Sequence, residues 1–191
     1  MRKMKQDRRV ERTRRILSEA LMSLIIEKGY EKTTVQDIID RADVGRSTFY
    51  AHFLDKDALL RSGFDNLRDA LSKKGVGGKD GWDVALDLFQ HAQSHYPLYK
   101  AMVGKQSWNT IQQYAQKFLF NLVREYLKPK MSAKKKAAVP LDIAAHFIVS
   151  SFLALLTWWL EQKMPYSAEQ MTEMFKGLTK PGVDAGLGFE T

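Results

Sequence analysis

Two short amphipathic segments joined by a tight break, within residues 33–60, constrain the fold of this chain more than any other feature. Four apolar residues recur at i, i+3, i+4 and i+7, the spacing of one helix face: Val35, Ile38, Ile39 and Ala42. Thr34 precedes this stripe as a suitable N-cap, and Asp37 lies three residues further on as its capping-box partner. The pattern predicts a short, well-capped helix.

A second short helix follows the break. The segment Ala42-Asp43-Val44-Gly45 predicts a four-residue connection, since Asp and Gly both tolerate turn conformations. Phe49 and Phe53, at i and i+4, would face the same core as Val44. The opposite face would carry Ser47, Thr48, Tyr50 and Ala51. Short hydroxyls and one phenol suit base edges and phosphates, as in a helix-turn-helix, but an ordinary α-hairpin with a polar outer face also fits.

Positive charge is concentrated beside this motif. Residues 1–15 hold eight basic and two acidic side chains, so they carry +6 of the formal net charge of +8. Such a local excess indicates an electrostatic footprint for nucleic acid. We expect the arm from Met1 to about Arg9 to be disordered without DNA.

Lys56 adds a second electrostatic feature. It lies in the first turn of the next predicted helix, behind a predicted cap at Asp55, where the helix dipole disfavours a cation. A bound phosphate would remove this conflict. Asp55 and Asp57 could equally neutralise the ammonium, and the sequence leaves both interpretations open.

Residues from about Arg9 to Phe64 resemble the DNA-binding domain of TetR/AcrR-type transcriptional regulators. The matching motifs stand at fixed spacing: Glu27-Lys28-Gly29-Tyr30, Thr33-Thr34-Val35, Asp37-Ile38, Arg46-Ser47-Thr48-Phe49-Tyr50, His52-Phe53, Lys56-Asp57 and Leu59-Leu60. The pattern departs at Asp43 and Gly45, where turns of the family more often have Gly and Ser.

The resemblance implies a three-helix domain whose third helix enters the major groove. Four residues would then reach bases or adjacent phosphates: Arg46, Ser47, Thr48 and Tyr50. Phosphates would be held by Thr33 or Thr34, by His52 and by Lys56. The departure at Gly45 weakens the cap of the recognition helix, so its entry angle is not fixed by the sequence.

The rest of the chain predicts only helices, so the fold class is all-α. The stripe within residues 16–26 ends at Gly29, and residues 56–74 form a connecting helix. Four glycines within residues 75–81 mark a boundary, which divides the chain into residues 1–74 for DNA binding and 75–191 for regulation and dimerisation. The second part predicts a helical bundle, with helices at 82–95, 97–103, 107–127, 140–163 and 167–179.

The helix from Pro140 contains the most apolar run, residues 143–160. Its length is near the minimum for a membrane span, but a proline start, Asp142 in the first turn and a polar end are typical of a helix in a soluble protein. A helix apolar on all sides needs two partners. We expect its second face to join Met171, Met174, Phe175 and Leu178 in a two-fold interface, as the resemblance also implies; an intramolecular core is the alternative.

Aromatic side chains are dense in the C-terminal part. Eight residues are candidates for an effector pocket: Trp82, Phe89, Tyr99, Met102, Trp108, Tyr114, Phe118 and Phe147. Each could equally fill an ordinary core. The resemblance implies that a small molecule bound there would change the spacing of the two DNA-binding heads and release an operator.

Other chemistries lack the residues they need. His91 and His95 share a helix face, but no cysteine or nearby carboxylate completes a set, so we predict no metal, with His146 as the only candidate third ligand. The sequence contains no phosphate loop or nucleophile motif, which argues against an enzyme and against a cofactor. A nonspecific architectural DNA-binding protein is the alternative that the basic arm alone would support.

The expected setting is the cytoplasm. The chain has no cysteine, and its charged N-terminus lacks the apolar region of a signal peptide. We therefore expect a repressor that binds a palindromic DNA operator as a homodimer, with no membrane association.

Overall fold

The computed structural model describes residues 2–73, 82–103, 106–131 and 137–189. In those ranges the chain forms nine α-helices and no strand, which confirms the all-α prediction. The helices are α1 (Arg2–Lys28), α2 (Val35–Ala42), α3 (Arg46–His52), α4 (Lys56–Lys73), α5 (Asp83–Ser94), α6 (Tyr96–Met102), α7 (Gln106–Leu127), α8 (Leu141–Glu161) and α9 (Ala168–Leu187). The predicted glycine boundary at residues 75–81 lies outside the described residues.

Helix α1 is longer than the sequence stripe suggests. It begins at Arg2, so the expected disorder of the arm up to Arg9 is wrong for the backbone described here. Arg, Lys and Gln are good helix formers, and the arm is continuous with a helix already stabilised by packing. Gly29 ends α1 with φ of 85°, a left-handed conformation that only glycine adopts without strain.

Helices α1 to α3 form the N-terminal domain. Helix α1 packs along α2, and Arg41 of α2 binds Glu27 and Ser23 of α1 at 2.5 and 2.7 Å. Ile38 and Ile39 of α2 are buried in the common core. Helix α4 starts behind Asp55, whose Oδ1 accepts a bond from the Ala58 N–H at 2.6 Å, as the predicted cap requires.

The C-terminal helices pack on one another and on the N-terminal domain. Helix α8 lies against α7 and α9, and α5 lies against α9. Helix α1 also packs on α6, and α4 packs on α7. One continuous hydrophobic core therefore runs from Leu17 of α1 to Leu187 of α9. Because this core is close-packed, a shift of α5, α6, α7 or α8 alters the packing of α1 and α4.

Helix α9 also extends beyond its predicted end. It continues past Thr179 through Pro181 to Leu187. Pro181 is exposed, whereas Val183 and Leu187 are buried, so core packing offsets the backbone bond that a proline removes. The Gly186 carbonyl accepts a bond from the Val139 N–H at 2.9 Å, which fixes this end against the start of α8.

Candidate nucleic-acid interface and internal cavity

The connection between α2 and α3 is one residue shorter than predicted. It consists of Asp43, Val44 and Gly45, because Ala42 is still helical. Asp43 has φ of 51° and ends α2 in the left-handed region, which Asp adopts more readily than most residues. Gly45 has φ of −71°, so its position requires no glycine, and it offers no side-chain cap to α3. Asp43 thus sets the turn.

Helix α3 presents one face to the core and one to the surface. Phe49 and Phe53 are buried, as their spacing predicts. On the other face Arg46 and Ser47 are exposed, and the side chain of Tyr50 is 51 % exposed. This outer face therefore offers a guanidinium, a hydroxyl and a phenol that have no place in the core.

The remaining predicted contacts on α3 lie at its edges. Thr48 and His52 are half-buried, and the His52 ring lies 6.3 Å from that of Phe53. The edge of a recognition helix is where phosphates flank a groove, whereas its centre faces the bases. Tyr50 lies at the centre of the exposed face, with its ring edge-on to Phe49 at 5.3 Å.

Gln36 is a residue that the sequence interpretation did not single out. Its Oε1 accepts a bond from Nη2 of Arg46 at 3.2 Å, and its Nε2 donates to Asp40 at 2.8 Å. Gln36 therefore holds the guanidinium of Arg46 beside the exposed face of α3. The signal was available, because Gln36 and Asp40 are the i and i+4 positions opposite the apolar stripe of α2.

Thr33 and Thr34 have different environments. The Thr33 side chain is 1 % exposed and donates to the Gly29 carbonyl at 2.8 Å, so its predicted contact with a phosphate is wrong for this conformation. Thr34 is exposed, but its hydroxyl and N–H form the predicted capping box with Asp37. Hydrogen bonds from Lys28 and then Thr34 hold the pKa of Asp37 well below its usual range.

Lys56 resolves its conflict with the α4 dipole in a way that neither interpretation foresaw. Its Nζ donates to the carbonyls of Tyr30 and Thr33, each at 2.9 Å, and lies 4.3 Å from the centre of the Tyr30 ring. The Tyr30 hydroxyl in turn donates to Asp57. Lys56 thus joins the turn after α1 to the start of α4, and one N–H remains for a phosphate.

Several basic side chains of α1 are exposed, and one of them reaches the end of α3. Arg8, Arg9 and Arg12 are exposed. The guanidinium of Arg14 lies 5.3 Å from the centre of the Phe53 ring, at the end of α3. One of the basic side chains predicted from the sequence therefore lies at the C-terminal end of α3.

A cavity of about 390 Å³ lies between the two parts of the chain. Four of the eight predicted pocket residues line it: Tyr99, Met102, Trp108 and Phe118. Its wall also includes Leu21 of α1 and Leu59 and Phe64 of α4, which the sequence interpretation did not consider. The cavity thus contacts α1 and α4, the helices that precede and follow α2 and α3 in the chain.

The other four predicted pocket residues lie elsewhere, because each faces a different neighbour. Phe89 is fully buried, 5.0 Å from the Phe152 ring centre. Trp82 lines a separate cavity of about 70 Å³. Tyr114 accepts a bond from Arg61 at 2.9 Å in an outer groove, and Phe147 is 54 % exposed on the outer face of α8. These four candidate pocket residues therefore do not line the main cavity.

Polar aromatic groups line one side of the main cavity. The rings of His91 and His95 lie 4.3 Å apart, His91 and Tyr99 lie 6.3 Å apart, and Tyr99 and Trp108 lie 6.2 Å apart. Burial, and then the neighbouring His95, lower the pKa of His91 to about 4, and burial raises the pKa of Tyr99 to about 12. In the described part of the chain no three His, Cys, Asp or Glu side chains gather as a metal site.

Helices α8 and α9 leave an apolar surface uncovered. The large exposed side chains on it are Ile143, Phe147, Trp158, Met174 and Leu178. Between them lie small exposed residues: Ser150, Ala154, Gly177, Gly182 and Ala185. Met171 and Phe175 are buried in the protomer, so the expectation that they join a two-fold interface is wrong, since they lie on the inner face of α9.

Helix α8 has the length and composition of a membrane span, alone among the described helices. Eight of its residues nevertheless belong to the core: Ala144, Ala145, Ile148, Val149, Phe152, Leu156, Trp159 and Leu160. A core helix passes the same test, so composition by itself does not indicate a membrane span.

Two family models match the chain. Residues 16–62 match the bacterial regulatory proteins of the tetR family, and residues 80–181 match a transcriptional regulator C-terminal region of the same group. YxbF, an uncharacterised HTH-type transcriptional regulator of Bacillus subtilis, is 28 % identical over 180 residues, which are 88 % of this chain and 45 % of YxbF. The chain thus spans less than half the length of this relative.

Solved structures share the fold. A TetR transcriptional regulator from Streptococcus agalactiae superposes with a TM-score of 0.66 and 26 % identity, over 92 % of this chain and 98 % of that one. Thermus thermophilus FadR, a TetR-family repressor in complex with lauroyl-CoA, has a TM-score of 0.62 and 19 % identity, over 88 % and 94 % of the two chains. The chain therefore belongs to the TetR family of bacterial regulatory proteins, with an N-terminal helix-turn-helix and a C-terminal helical domain.

Proposed function

We propose that this protein is a cytoplasmic homodimeric repressor that binds a palindromic operator and is released from it by a small molecule. The observation that carries the proposal is the pairing of two surfaces. One is the polar outer face of α3, and the other is the uncovered apolar surface of α8 and α9.

The α3 face supports sequence-specific binding. Arg46, Ser47 and Tyr50 project from it, and Thr48 lies at its margin. A guanidinium can pair with two acceptors on a guanine edge, and hydroxyls bond to either bases or phosphates. We assign phosphate contacts to Thr34 through its exposed side, and to His52 and Lys56 at the edges of the motif.

The α8 and α9 surface supports dimerisation. Leu178 is 77 % exposed and Phe147 is 54 % exposed, although both are large apolar residues near the centre of this surface. Gly177 and Gly182 have open space where a Cβ would lie, so another helix can approach closely. A second copy fits, because a two-fold axis brings α8 and α9 of both protomers into one four-helix interface.

Dimerisation determines the kind of DNA site. Two recognition helices related by a two-fold axis require half-sites about one turn apart, roughly 34 Å, or a multiple of that. A bound dimer occludes the DNA beneath it without needing any activation surface, which favours repression.

We place the division between the DNA-binding part (residues 1–74) and the regulatory part (residues 75–191) at the glycine segment. The matched family spans agree with this division, since they end at 62 and resume at 80.

The cavity supports release by an effector. Met22 of α1 and Leu60 of α4 line the cavity. A ligand there would contact α1 and α4, the helices that precede and follow the helix-turn-helix, and it would favour the arrangement in which the two heads no longer match the operator.

Selection from a pool of random duplexes tests the proposal. We expect recovery of a palindromic consensus, with half-sites separated as above, and weak specific binding by Tyr50→Ala. Leu54→Ala is the matched control, since Leu54 is 80 % exposed in the same domain but lies beyond the end of α3. If no sequence is enriched and all duplexes bind with the same salt dependence, the protein is a nonspecific architectural DNA-binding protein instead.

A further inference from the structure

We infer that the main cavity binds an uncharged, largely apolar molecule that carries a hydrogen-bonding group, and that it excludes organic anions. This inference rests on the proposed function, because it assigns a chemical class to the effector. Three properties of the cavity support it: its charge, its polar groups and its size.

The described residues of the cavity wall carry no charged side chain. None of the side chains that line it is Lys, Arg, Asp or Glu. A carboxylate or phosphate inside would lose its hydration without gaining a counter-ion, which strongly disfavours its binding. A neutral molecule has no such penalty.

Among these described lining residues, only His91 and His95 could become cationic. Burial keeps the imidazole of His91 neutral at physiological pH, since its pKa is lowered to about 4. His95 is exposed, and its Nδ1 lies 2.9 Å from the His91 carbonyl. The His95 side chain therefore faces solvent and the His91 carbonyl, and it does not make the interior an anion site.

One side of the cavity provides hydrogen bonds. Trp108 is 7 % exposed, and its Nε1–H has no acceptor within the described residues. A buried donor without an acceptor is unfavourable, so a ligand that supplies the acceptor gains affinity. Trp108 lines the cavity together with Tyr99 and His91, and successive ring centres in this row lie 6.2 and 6.3 Å apart, so an acceptor on a ligand would meet three polar aromatic side chains here.

The remaining wall is mostly apolar, with Ser18, Asn66 and Gln112 as its other polar side chains, and the volume is modest. Side chains of α1, α4, α7 and α8 contribute Leu21, Leu59, Ile111 and Leu156, among others. A volume of about 390 Å³ lies at the lower end of the usual range of small-molecule sites, roughly 300–1,000 Å³. An alkylated phenol, alcohol or ketone has both the size and the polarity that this site requires.

A matched series of three ligands tests the class: hexylbenzene, 4-hexylphenol and 4-hexylbenzoate. The affinity of each ligand is measured by its displacement of the neutral fluorescent probe N-phenyl-1-naphthylamine from the full-length protein at neutral pH. We expect 4-hexylphenol to bind at least tenfold more tightly than 4-hexylbenzoate and several-fold more tightly than hexylbenzene. Equal or tighter binding of the benzoate, or no binding of the probe, would overturn the inference.

Variants locate the bound molecule. Ala115→Phe fills the cavity from α7 and should abolish probe binding, whereas Gln113→Phe, on the exposed side of the same helix, should not. Trp108→Phe keeps a large ring but removes the N–H, so it should remove most of the preference for the phenol over hexylbenzene. This variant keeps the inference testable if Ala115→Phe fails to fold, and an unchanged preference would contradict the role of Trp108.

Release of DNA is measured separately, with the duplex recovered by selection. If 4-hexylphenol binds in the cavity but leaves the protein on the duplex, the ligand class stands and the proposed release by an effector fails. If the benzoate binds as tightly as the phenol and releases the duplex, the proposed function stands and the ligand class is wrong.

Discussion

Leu178→Arg should convert the protein from a dimer to a monomer. Leu178 lies on the outer face of α9 with 77 % of its side chain exposed, amid Met174, Gly177 and Gly182. Leu and Arg have similar helix propensities, so α9 itself should be unaffected. The substitution therefore tests the surface and leaves the fold of the protomer intact.

The size of the effect follows from the exposed fraction. Complete burial of a leucine stabilises by about 1.5–3 kcal/mol. Covering the three quarters of Leu178 that are exposed in the protomer therefore stabilises the dimer by roughly 1–2 kcal/mol for each protomer. Two-fold symmetry doubles this to roughly 2–4 kcal/mol, which corresponds to a dissociation constant on the order of 30- to 700-fold weaker. Burying two guanidinium groups without partners would weaken the dimer further.

Sedimentation equilibrium across micromolar concentrations measures the change. Leu54→Arg is the matched control, since it replaces a leucine that is 80 % exposed on the DNA-binding domain. We expect the wild type and Leu54→Arg to be dimers and Leu178→Arg to be a monomer with unchanged circular dichroism. If Leu178→Arg stays dimeric, the interface is not formed by this surface and the reasoning from exposure is wrong.

Three further predictions concern stability and binding. Thr34→Ala removes the capping box with Asp37 and should cost about 1 kcal/mol in urea unfolding, and an unchanged midpoint would contradict the capping role. Stability should fall by about 1 kcal/mol between pH 7 and pH 5 through His91, after discounting for its partial exposure, because the unfolded chain binds the proton first when the folded pKa is lowered to about 4. His91→Gln should flatten this part of the pH profile, so an equally steep profile in the variant would rule His91 out as its cause. Replacing the exposed Arg8 and Arg9 with Ala should weaken binding to every duplex alike and reduce the salt slope by about 0.9 for each phosphate that is no longer neutralised, whereas weaker binding to the selected duplex alone would show that they read sequence.

Features that depend on neighbours three or four residues away were predictable from the sequence. The capping box of Thr34, the inward stripe of α2, the end of α1 at Gly29 and the cap at Asp55 all appear where the pattern indicates them. Each depends on backbone geometry within a single helical turn, which the local residues determine. The same logic separates the outer face of α3 from its buried face at Phe49.

Features that depend on which helix lies opposite were decided only by the tertiary structure. Lys56 binds carbonyls of the turn after α1, and Thr33 is buried against the same turn, although the sequence suggested phosphate contacts for both. Phe89 and Phe147 are equally aromatic, yet one lies in the core and the other on the surface.

The lining of the main cavity also depends on residues that are distant from one another in the sequence. Its wall combines residues as far apart in the chain as Ser18 and Leu156. Hydrophobicity gives the free energy of burial, but it is non-directional and does not specify the partner. The sequence by itself therefore determined most of the helices and the helix-turn-helix motif, whereas the packing of α1 on α6 and of α4 on α7 decided which side chains line the cavity, and the packing of α8 and α9 decided which side chains stay exposed.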